Sequence, residues 1–141
     1  MAADFTFGAG EERIEVRIAV SKPPSGEKPN SANELDSTVI LHLGAFSGSF
    51  TAEVLKQDLV ILHDQLIMGF ASHSATVPFK SVRDDLSLKI EFNGPGKAIL
   101  SGTAQPHRLR QAKLTFQLEV EQSSLARTAE ELEDFLRNLP H

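Results

Sequence analysis

The sequence predicts an α+β fold: an antiparallel curved β-sheet of about 6-7 strands with two amphipathic helices packed on one face. Three observations predict it. Leu114, Phe116, Leu118 and Val120 alternate with Thr115, Gln117, Glu119 and Glu121, the period of a strand with one buried face. After Ser123 the period changes, and Leu125, Ala129, Leu132, Leu136 and Leu139 recur at the steps of a helical stripe, with Phe135 beside it. A strand with one wet face and a helix with one dry stripe fit together when the helix lies on the sheet's apolar side, and the strands between residues 86 and 121 share this design.

In chain order, residues 11–20 form the first expected strand, with Ile14, Val16, Ile18 and Val20 alternating with Arg13, Glu15 and Arg17. Residues 21–34 hold Pro23, Pro24, Gly26 and Pro29 and almost nothing apolar, so they are expected to form a mobile loop within one domain spanning residues 1–141. Residues 36–46 read as a second strand, with Val39, Leu41 and Leu43 turned inward. Phe46-Ser47-Gly48-Ser49-Phe50 reads as a bend or bulge into a further extended segment.

A helix is expected from about Thr51, with Leu55, Leu59, Leu62 and Leu66 as its inner stripe and Gly69 as its C-terminal stop. Val60, Ile61, Ile67 and Met68 fall off that stripe. They are either tucked between sheet and loops or form an apolar contact site for a partner, a second copy of the chain included. A short strand over residues 76–80 carries Pro78, which suits a sheet edge. Leu86, Leu88, Ile90 and Phe92 then lead through the turn Asn93-Gly94-Pro95-Gly96 into a returning strand over residues 98–104. A sandwich is the alternative if the first two strands pack over this hairpin. Thr128 and Glu131 have capping-box spacing, which would split a turn from the front of the last helix.

Composition narrows the function classes. The chain has 141 residues and a net charge of -5, which argues against direct nucleic-acid binding. It has no cysteine, hence no disulfide, thiolate metal site or cysteine nucleophile. No stretch approaches the roughly 20 apolar residues of a membrane-spanning helix, and residues 1–10 are too polar for a signal peptide, so a cytoplasmic location without membrane contact is expected.

Catalytic signatures are weak throughout. Ser47 lacks the flanking glycines of a nucleophile elbow, and Gly94-Pro95-Gly96-Lys97 lacks the first glycine and the hydroxyl residue of a phosphate loop. His42, His63, His73, His107 and His141 share no face in metal-ligand spacing, and His63 and Asp64, being adjacent on a helix, point about 100 degrees apart. The expectation is a non-catalytic protein-binding module with no catalytic residue, metal or cofactor. The competing hypothesis is a small-ligand binder or enzyme with a pocket between sheet and helices, using His42 or His63.

Glu130, Glu131, Glu133 and Asp134 crowd the outward half of the last helix, with Arg137 one turn beyond Glu133. They serve either as a solvated helix face or as a surface complementary to a basic protein partner; the four acids are the candidate partner-binding residues.

A further set of segments resembles a known family. Gly48-Ser49-Phe50, the leucine stripe from Leu55 to Leu66, Asp85-Leu86-Ser87-Leu88 with its Gly-rich turn, Leu114-Thr115-Phe116, Glu121-Gln122-Ser123-Ser124-Leu125 and the closing Leu139-Pro140 together resemble the bacterial WapI-like immunity proteins, over residues 36–140. The resemblance implies neutralisation of a toxic C-terminal nuclease domain of a polymorphic toxin that acts on transfer RNA. Two departures stand out: Glu121 where such chains usually have Asp, and no Trp near the second strand.

Overall fold

The period-two stretches become eight strands and the two leucine stripes become two helices in the computed structural model, which describes residues 3–19, 34–106 and 112–139. In chain order these are β1 (Phe5–Ala9), β2 (Glu12–Ala19), β3 (Glu34–Leu43), β4 (Phe46–Leu55), α1 (Lys56–Ser72), β5 (Ser74–Lys80), β6 (Leu86–Asn93), β7 (Lys97–Ala104), β8 (Leu114–Glu121) and α2 (Gln122–Arg137). The strands form two antiparallel four-stranded meanders, β1-β2-β3-β4 and β5-β6-β7-β8, where the sequence had suggested a single sheet of fewer strands.

The break between the sheets has a local cause. β1 is an edge strand, and its free backbone groups are taken by α2 instead of by another strand. The Thr6 N–H donates to Glu131 Oε1 at 3.1 Å, and the Thr128 hydroxyl lies 2.5 Å from the Thr6 carbonyl oxygen. At the other junction α1 separates β4 from β5, so those strands cannot form a hairpin. The sheets still adjoin: β1 approaches β8, and the Val82 N–H donates to the Glu53 carbonyl at the outer edge of β4.

Each half is thus a four-stranded meander running straight into a helix. α1 packs chiefly against α2 and β5, and α2 against α1 and β1, so each helix covers the first strand of the opposite sheet. The inner faces of both sheets and the helical stripes share one core, in which Phe5, Phe7, Ile14, Leu59, Leu66, Leu86, Ile90, Leu100, Leu125 and Leu132 are wholly buried.

Several expected boundaries move. Thr51 lies in β4, not at a helix start, because residues 51–55 pair with residues 34–38 of β3 and bury Ala52 and Val54 on the core side. Leu55 ends that strand and α1 begins at Lys56. Gly69 does not stop α1, which continues to Ser72 and closes on His73 in the left-handed conformation at φ 56. Gly69 is small because a Cβ there would lie 2.6 Å from Cε1 of buried Phe92. Thr128 and Glu131 form no capping box, since α2 runs unbroken from Gln122 and both side chains turn to β1.

Pro78 does sit on an edge strand, and the β6–β7 hairpin pairs Phe92 with Ala98 across its turn as the alternation requires. The expected loop over residues 21–34 lies outside the described residues except for Glu34, which opens β3.

Candidate protein-docking surfaces

α2 turns Leu125, Ala129 and Leu132 into the core, which leaves Glu130, Glu133 and Asp134 exposed on the opposite side. Arg137 pairs with Glu133 at 3.2 Å and lies 3.9 Å from Asp134. These are solvent-screened contacts that contribute little to stability. Glu131 does not share this surface. Its half-buried carboxylate receives the Thr6 N–H, and burial raises its pKa despite that hydrogen bond and the charge of Arg127. The fold therefore divides the four acids into three that face solvent and one that holds β1.

The wet face of the first sheet carries a second charged group. Glu15 is mostly buried beneath Arg13 at 2.9 Å, His42 at 2.9 Å and Arg17 at 3.6 Å. Burial pushes its carboxyl upward, but the hydrogen bonds and charges of Arg13 and His42 outweigh this and hold it below the usual glutamate range. Sequence reasoning did not single out Glu15. The signal was present in Arg13-x-Glu15-x-Arg17 on one face of β2, and His42 joins because the register sets it directly across from Arg13.

His63 and Asp64 meet after all, with Nδ1 3.1 Å from Oδ1, although adjacent helical side chains leave the axis in different directions. The Asp64 carboxylate is 69 % exposed. Among the described residues no group of three or more His, Asp or Glu side chains is placed to hold a metal ion. The interior that a ligand pocket between sheet and helices would need is filled by Leu59, Leu62, Leu66, Leu125 and Leu132. Val60, Ile61, Ile67 and Met68 are exposed on the outer side of α1 instead of tucked under a loop, Met68 at 68 %.

Among the described residues, two clefts outside the core are lined by sheet and loop residues. One is a groove on the wet face of the second sheet between Lys80, Lys89, Ser101, Thr103 and Gln117. The other, of about 800 Å³, opens between the β3–β4 edge of the first sheet and the β5–β6 turn.

The family model described as "Immunity protein WapI-like family" matches residues 5–140. The chain belongs to that family. The match extends the likeness through β1 and β2, beyond the segment from Asp36 onward that the motifs had suggested. Curated proteins and solved structures each gave no match. In this WapI-like chain, two of the motifs that carried the resemblance touch each other. The Gln122 side-chain amide donates to the carbonyls of Gly94 at 2.6 Å and Lys97 at 3.0 Å, and the Gln122 backbone N–H donates to Gly96. The Glu-Gln-Ser motif thus fastens the start of α2 to the Gly-rich turn, a structural duty.

Among the described residues, no helix is long and apolar enough to cross a membrane.

Proposed function

We propose that this chain is a non-catalytic immunity protein that neutralises a cognate bacterial polymorphic toxin of the nuclease class by binding its toxic domain and occluding its active site. The observation that carries this reading is the acidic outer face of α2, where Glu130, Glu133 and Asp134 stand exposed on a helix whose other side is fixed in the core. A nuclease presents cationic groups to the phosphate backbone, and an anionic surface on a rigid helix competes for those groups. Family membership supports the immunity role, and the acidic surface favours a cationic partner such as a nuclease domain.

The test is co-expression with the C-terminal domain of a polymorphic toxin from the same genome, read by growth and by the integrity of cellular transfer RNA. The expected result is growth with intact transfer RNA when the chain is present and arrest when it is absent. Continued cleavage of transfer RNA in the presence of a folded, abundant chain defeats the proposal.

A further inference from the structure

We infer that the outer edge of β4 pairs with the same edge of a second copy of this chain, antiparallel about a twofold axis at Gly48, so that the first sheets of two molecules join into one. This surface is separate from α2, and its pairing needs no toxin.

The β4 edge is bare where the other sheet edges are not. β1 is closed by Thr128 and Glu131 of α2, β5 carries Pro78 and Lys80, and β8 lies beside β1. Charges, prolines and covering elements guard edge strands, because unpaired backbone groups recruit another strand. Along β4, residues 44–52 hold no charge and no proline, so two copies meet there without like-charge repulsion. One contact shows which backbone groups are free: the Glu53 carbonyl points away from β3 and accepts the Val82 N–H at 2.8 Å. Every second residue of a strand aims its backbone the same way. Ser47, Ser49 and Thr51 therefore also direct N–H and C=O outward, where they meet no hydrogen-bond partner among the described residues.

The order of residues along the edge selects the occupant. Phe46-Ser47-Gly48-Ser49-Phe50 reads the same in both directions. Antiparallel pairing reverses the chain, so a strand that reads alike both ways is its own complement about a twofold axis. With Gly48 opposite the partner's Gly48, Ser47 and Ser49 exchange both backbone bonds with the partner's Ser49 and the partner's Ser47. Phe46 and Phe50 then stand across from the partner's Phe50 and the partner's Phe46, at the non-hydrogen-bonded sites where side chains come closest. Phe50 already leans on the core, whereas Phe46 is 68 % exposed and is covered by this pairing. The overlap is bounded by the β3–β4 turn at Gly44 and by Val82 at Glu53. So short a seam buries less than an obligate dimer does, and the pair forms and separates with concentration.

The chain has no cysteine, which makes the register testable with one. In the inferred dimer the two Gly48 Cα atoms lie about 4.5 Å apart, within disulfide reach. A Cβ added at Gly48 meets nothing within 4 Å. Gly48→Cys is expected to form a disulfide-linked dimer on mild oxidation about tenfold or more faster than Thr51→Cys, whose positions the same register holds about 20 Å apart. The unaltered chain is expected to pass from monomer toward dimer in sedimentation equilibrium between about 10 μM and about 1 mM, with amide exchange slowed at Ser47 and Ser49. Phe46→Lys sets a charge on the edge and is expected to stay monomeric, with an unchanged urea midpoint at low concentration. A chain that is monomeric throughout this range, or equal cross-linking of the two cysteine variants, overturns the inference. A dimer that survives Phe46→Lys without slowed exchange at Ser47 and Ser49 also overturns it, because that dimer is joined elsewhere, the exposed Val60, Ile61, Ile67 and Met68 of α1 being the competing surface.

Discussion

At the scale of single residues, the informative positions are those where one side chain resolves a conflict between two elements. Gly69 lies inside a helix, where alanine would ordinarily be favoured by about 1 kcal/mol. The ring of Phe92 removes that advantage. It is 3 % exposed and held edge-on to Phe70 at 5.6 Å, so it has little room to retreat from a new methyl group. Gly69→Ala is expected to destabilise the chain by about 1–3 kcal/mol in urea denaturation. Gly48→Ala, where nothing lies within 4 Å of the added carbon, is expected to leave stability within about 0.5 kcal/mol of the original.

Glu131 is a comparable case with charge. Removing its acceptor in Glu131→Ala orphans the Thr6 N–H and is expected to cost about 1–2 kcal/mol. Glu131→Gln keeps an acceptor without the burial penalty and is expected to equal or exceed the original at neutral pH. The folded-state pKa of Glu131 is raised, so its favourable contribution is complete below the unfolded carboxylate range and is lost as pH rises through the folded value. Urea titrations between about pH 4 and about pH 7 should therefore show a shallower decline for Glu131→Gln than for the original chain. Glu53, shifted in the same direction by burial, Glu34 and Asp36, adds to the decline, and Glu15, held low by Arg13 and His42, opposes it equally in both chains, so the readout is the difference between the two chains.

At the scale of elements, α1 and α2 are built alike and differ in what they show to solvent. Both follow directly from a strand, both begin on an extended residue without a side-chain cap, and both lie over the first strand of the opposite sheet. The outer side of α1 is apolar at Val60, Ile61, Ile67 and Met68, whereas that of α2 is acidic. Reversing Glu130, Glu133 and Asp134 to lysine while keeping Glu131 tests α2 as a docking element without loosening β1. The expected outcome is an unchanged urea midpoint and a loss of affinity for the toxic domain that shrinks as salt is raised. Equal affinity for the reversed chain at low salt would remove α2 from the interface.

At the scale of the whole molecule, the exchange of helices between halves makes the two meanders interdependent. Separated halves, residues 1–73 and 74–141, each lose the helix that covers their first strand and expose a half of the common core. Each is expected to lack a cooperative thermal transition by circular dichroism, while an equimolar mixture regains one. The intact chain is expected to unfold in a single transition with coincident probes. A half that melts cooperatively alone would show that the shared core is not what holds it.

The sequence by itself determined which residues face inward, because side-chain direction along a strand or helix follows from period alone; β6, β7, β8 and α2 were legible for that reason. It also carried the family, through motifs such as Glu121-Gln122-Ser123 whose physical work is to fasten α2 to the Gly94 turn. β1 was within reach, since Phe5 and Phe7 flank Thr6 in alternation, but so short a pattern acquires meaning only when α2 closes over its edge. Tertiary structure alone decided that eight strands divide into two sheets, that Glu131 leaves the acidic surface, and that Asp36, Glu53 and Asp85 line one cleft. Those outcomes depend on hydrogen-bond partners and burial supplied by residues far away in the chain, and periodicity reports only on neighbours.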